Sequence, residues 1–141
     1  MFAAFPLLAL PVLAYNLVTL ATGAGSAQAT SQLGGRVFAI PMASGGLWDV
    51  TLADLLIAAS LVILFIELLK STTSRRIAII NHALSLVLFV VCLVEFLLLP
   101  GFATSTFFLI TLMVILDVLA GFIVTIIAAR RDIGVMPDAE A

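Results

Sequence analysis

Residues 77–100 read IAIINHALSLVLFVVCLVEFLLLP, and most positions in that run are aliphatic or aromatic. Its length suits the ~20 residues a helix needs to cross about 30 Å of hydrocarbon. Yet the run carries Asn81, His82 and Glu95. A carboxylate facing lipid costs about 2.5–3.5 kcal/mol even on the lenient insertion scale, so these groups must turn toward other parts of the protein. Where they turn bears on both fold and function.

The same make-up extends along the chain. Of 141 residues, 64% are hydrophobic and 10% charged, and the mean hydropathy is +1.34. A soluble domain holds roughly 25% charged residues. Too few polar groups are present to clothe a surface in water. Apolar runs at about 2–21, 50–69, 77–99 and 105–129 are each long enough to span. No alternating strand pattern stands out, and a helix satisfies its own backbone in lipid. The expected fold is an all-α integral membrane protein, a single four-helix transmembrane bundle. A flexible Gly/Ser/Ala/Thr-rich loop is expected at 22–47, and a frayed acidic tail at 130–141.

Local signals mark the ends of the runs. Thr51 and Asp54 have the spacing of a capping box at the start of the second span, just after Trp48. Pro100-Gly101 stops the third, and Thr104-Ser105-Thr106 offers hydroxyl caps for the fourth. Lys70, Arg75 and Arg76 lie between the second and third spans, and Arg130 and Arg131 follow the fourth. The positive-inside rule therefore places both termini in the cytoplasm and the first loop on the other side. Within that loop, RVFAIPM (36–42) is apolar enough to dip into the interface. Ala27-Gln28-Ala29 resembles a signal-peptidase site, although no basic residue precedes the apolar run, and Pro6 and Pro11 interrupt it.

Helical geometry sorts the polar groups by angle and depth. At about 100° per residue, Asn81, His82, Ser85, Cys92 and Glu95 share an arc of roughly 140°. Ala53, Ser60 and Glu67 recur every seven residues on one face of the second span, and Asp117, Gly121 and Thr125 share a face of the fourth. Such small-residue spacing permits close helix approach. Glu67 falls near the cytoplasmic edge beside Lys70, at the level of Asn81 and His82. Glu95 falls near the opposite edge. Asp117 lies near the midplane, with no basic residue at its depth, so it must be protonated, hydrogen-bonded, hydrated or paired with another chain. Glu67 is expected to pair with Lys70 or His82. The candidate intramembrane polar site is therefore Asp117, Glu95, Glu67, His82 and Asn81.

Other chemistry finds little support. The net charge of −2, without a basic cluster, gives no reason to expect nucleic acid as a partner. The lone Cys92 excludes an intramolecular disulfide and offers no zinc spacing. One His supplies half of a bis-His haem site, so haem or chlorophyll on His82 is not expected. Ser85 neighbours His82 on one helix, but no acid is placed to orient the ring as a triad requires. Gly34-Gly35 and Gly45-Gly46 lack the strand–turn–helix context of a phosphate loop. In general form the chain is similar to small four-span proteins of bacterial inner membranes, a likeness that carries no site. The expected partners are the lipid bilayer and either further copies of the chain or a larger membrane complex. The expected function is that of a non-enzymatic structural or accessory membrane protein. The alternative is an oligomeric proton or cation transporter using the intramembrane carboxylates.

Overall fold

The computed structural model describes residues 5–21, 23, 26–70 and 75–133. The chain runs α1 (Ala9–Ala21), α2 (Ser26–Leu33), β1 (Arg36–Pro41), β2 (Leu47–Thr51), α3 (Leu52–Lys70), α4 (Arg75–Leu98), a 3-10 turn (Pro100–Phe102) and α5 (Ser105–Ile133). Among the described residues, three stretches are long and apolar enough to cross a membrane: Leu52–Lys70, Ile79–Leu98 and Ser105–Ile127. Their bounds fall within a few residues of the second, third and fourth expected spans.

The first expected span is shorter than its apolar run. Helix α1 has 13 residues, below the ~20 that a perpendicular crossing needs. Its start is set beyond Pro6, whose carbonyl accepts from the Ala9 N–H at 3.1 Å. Pro11 fits in the first turn, where a missing N–H leaves no helix bond unmade.

The fold is mostly helical, and the described part of residues 26–47 is not simply a flexible loop. Helix α2 and an antiparallel hairpin occupy much of that segment. RVFAI and LWDVT are rich in β-branched and aromatic residues, which fit a pleated surface. Ile40 pairs with Trp48 and Phe38 with Val50, with a bulge between Arg36 and Phe38. The hairpin closes through Gly45 N–H to Met42 O (2.9 Å) and Met42 N–H to Gly46 O (2.8 Å), with Gly45 at φ +83°. That left-handed position is the one a bulged hairpin turn reserves for glycine. The alternation is short and broken by the bulge, which hid it beside the long apolar runs. An exposed Arg36–Asp49 ion pair at 3.1 Å adds little stability.

Helix α5 is the hub, packed against both α4 and α3. Phe107, Ile110, Val114, Asp117 and Gly121 recur at spacings of three and four and form its buried seam. Leu112, Leu116, Leu119 and Ile123 point outward. At one end, Tyr15, Phe102 and Phe107 form an aromatic cluster with ring centroids 4.7–5.5 Å apart. Tyr15 donates to the Gly101 carbonyl (3.0 Å), so the Thr104 hydroxyl supplies the proton between Tyr15 Oη and Thr104 Oγ1 (2.6 Å). Thr104 Oγ1 also accepts from the Phe107 N–H (3.2 Å), which makes it the cap of α5. The Thr51–Asp54 capping box forms as expected: Thr51 N–H donates to Asp54 Oδ2 (2.9 Å) and Asp54 N–H to Thr51 Oγ1 (3.2 Å).

Candidate functional site

The polar face expected on α4 is the face that turns inward. Asn81, His82, Ser85 and Cys92 are buried and Glu95 is half-buried, whereas Val87, Val90 and Val91 are exposed. Ser60 and Glu67 on α3, and Asp117 and Gly121 on α5, are buried as well. By their hydrogen bonds, the five candidate residues fall into three groups along the helices.

The first layer centres on Glu67. Asn81 Nδ2 donates to Glu67 Oε1 at 2.9 Å, and Lys70 Nζ lies 3.3 Å from the same oxygen. Glu67 Oε2 accepts from the backbone N–H groups of Leu7 and Leu8, the latter at 3.2 Å. Lys70 Nζ also donates to Asn81 Oδ1 (3.2 Å) and to the Phe5 carbonyl (2.7 Å). One carboxylate thus ties the N-terminal end of α1 to α3 and α4. The first N–H groups of a helix have no partner within it and carry its positive dipole end, so an anion there is doubly favoured. Lys70 and Asn81 are the side-chain partners of Glu67, and His82 is not among its hydrogen-bond donors.

The second layer holds Asp117, Ser85 and His82. Ser85 Oγ donates to Asp117 Oδ2 at 2.7 Å. The His82 ring lies over Gly121, where a Cβ would come within 2.0 Å of His82 Cγ. The small-residue spacing on α5 therefore admits a ring from the chain's own α4. Asp117 Oδ1 and both ring nitrogens of His82 are buried with no hydrogen-bond partner among the described residues. Asp117 shares this layer with Ser85 and His82. It engages the hydroxyl and not the ring, so a triad's order of contacts is not formed.

The third layer pairs Glu95 with α1. Asn16 Nδ2 donates to Glu95 Oε2 at 3.3 Å and to the Val12 carbonyl at 3.1 Å. Sequence reasoning did not place Asn16 or Tyr15 in any site. The signal was there: Asn16 is an amide inside an apolar run, as anomalous as Glu95. No group of three or more His, Cys, Asp or Glu residues is gathered in a metal-binding arrangement among the described residues.

Fold and site together define a helical protein of membrane composition in which Glu67, Glu95 and Asp117 are each hydrogen-bonded from another segment of the chain. Comparison with known protein families, with curated proteins and with solved structures finds no match.

Proposed function

We propose that this chain is a non-enzymatic accessory or structural component of a bacterial inner membrane, a multi-pass protein that works by associating with itself or with a larger complex. In this reading α1 joins α3, α4 and α5 in a four-helix bundle with both termini in the cytoplasm. The observation that carries it is the engagement of every acid in the spans from within the chain: Asp54 by Thr51, Glu67 by four donors, Glu95 by Asn16 and Asp117 by Ser85. Acids used as internal fasteners reduce the cost of their own burial. Association then falls to the outer faces, which are lined by exposed Leu, Ile, Val and Phe side chains.

One observation favours a second reading, an oligomeric proton or cation carrier. The unpartnered Asp117 Oδ1 and His82 nitrogens lie in the middle layer of the bundle, and intramembrane ionisable groups often mark ion paths. Replacing Asp117 with Asn and measuring both cation or proton flux in liposomes and recovery of the assembled complex separates the two. The accessory reading expects no flux above empty liposomes from the parent chain, with assembly sensitive to the substitution. Parental flux that collapses in Asp117→Asn while assembly persists would overturn it.

A further inference from the structure

We propose that the groove between α1 and α4 holds one acyl chain of a bilayer phospholipid whose head group is a primary ammonium. The proposal rests on the membrane-embedded reading and not on the choice between accessory component and carrier. The groove has a water-reachable volume of about 490 Å³ and is lined by Leu13, Leu17 and Leu20 on α1 and by Leu84, Val87 and Val91 on α4. Asn16 and Glu95 are the polar groups in its wall.

Dimensions select the occupant. From Leu84 to Glu95 the groove follows α4 for about 16 Å at 1.5 Å per residue. One leaflet contributes about 15 Å of a hydrocarbon core of about 30 Å. A single polymethylene chain is slim enough to lie along this groove and matches its length.

Chemistry at the mouth selects the head group. Glu95 lies near the end of α4, three residues before Leu98. Asn16 donates to Glu95 Oε2, and no other described side chain donates to this carboxylate. Oε1 is left to accept from outside the chain. An ammonium supplies both the donors and the complementary charge, whereas an anionic head group would be repelled.

The test uses the full chain in micelles doped with phosphatidylethanolamine, phosphatidylglycerol or phosphatidylcholine of identical acyl chains, read by native mass spectrometry. One phosphatidylethanolamine per chain is expected, at least fivefold more occupied than phosphatidylglycerol. Glu95→Gln should reduce that preference below twofold. Val91→Trp, which fills the groove, should lower occupancy at least tenfold. Val90→Trp, on an exposed position outside the groove, should leave it unchanged. Four results would overturn the proposal: a parent chain that retains no lipid, equal retention of the two head groups, equal effects of the two Trp variants, or a dimer that Val91→Trp dissolves. A parent chain that needs no detergent would instead overturn the membrane reading beneath it.

Discussion

Replacing Glu67 probes the layer that joins three helices. Both of its oxygens accept, Oε1 from Asn81 and Lys70 and Oε2 from the Leu7 and Leu8 backbone. Glu67→Gln preserves shape but converts one oxygen into an NH₂ group. Whichever way the amide turns, a donor then faces donors. One buried donor loses its acceptor at about 1–3 kcal/mol and one partly buried donor at less, so a loss of about 1–4 kcal/mol is expected once partial relaxation is allowed. Glu67→Ala removes all four bonds and leaves the Lys70 charge without its partner, which places its cost at about 3–5 kcal/mol. Asn81→Ala should cost about 1–3 kcal/mol alone. Because the two side chains touch, the double variant should be less destabilised than the sum by more than about 0.5 kcal/mol. The assay is unfolding in mixed micelles with increasing denaturing detergent, followed by far-ultraviolet circular dichroism. A Glu67→Gln variant within about 0.5 kcal/mol of the parent, or additive behaviour with Asn81→Ala, would refute the four-donor arrangement.

Three further outcomes follow from the same contacts. Gly121→Ala places a Cβ inside the His82 ring's space and should cost about 1–3 kcal/mol as an overpacked contact; His82→Ala in the same chain should recover most of it, and an unaffected Gly121→Ala variant would exclude that packing. Thr51→Ala removes the reciprocal cap of α3 and should cost about 0.5–2 kcal/mol, with Thr51→Ser close to neutral in the same unfolding assay. Ala27-Gln28-Ala29 lies in α2 with Ala29 fully buried, and α1 with the turn just before it supplies partners to Glu95 and Glu67. The membrane-extracted protein should therefore retain α1, whereas a mass beginning at Thr30 would show cleavage.

Much of this arrangement was legible from residue types and spacing alone. Hydropathy located α3, α4 and α5, because about 20 apolar residues admit few other uses. The angular grouping of Asn81, His82, Ser85, Cys92 and Glu95 gave the buried face of α4 because any inward-facing helix obeys that periodicity. Partner choice was harder to read. That Glu67 would meet the Leu7 and Leu8 backbone depends on where α1 begins, and Pro6 and Pro11 displaced that start from the apolar boundary. The hairpin was missed for a different reason: its strands are short, and its turn depends on Gly45 in a segment whose Gly and Ser content suggested a flexible loop. Gly121 was read as a contact for another helix surface, and a single sequence does not reveal that the His82 ring fills the space.

The central claim is that α5 lies in lipid with Asp117 turned toward the chain's own helices. A nitroxide scan of residues 106–127, read by collisional accessibility to molecular oxygen in liposomes, tests it most directly. Accessibility should oscillate at about 3.6 residues per cycle, with minima at Ile110, Val114, Asp117 and Gly121 and maxima at Leu112, Leu116, Leu119 and Ile123. A maximum at position 117, or a profile in which a water-soluble relaxant dominates throughout, would contradict it.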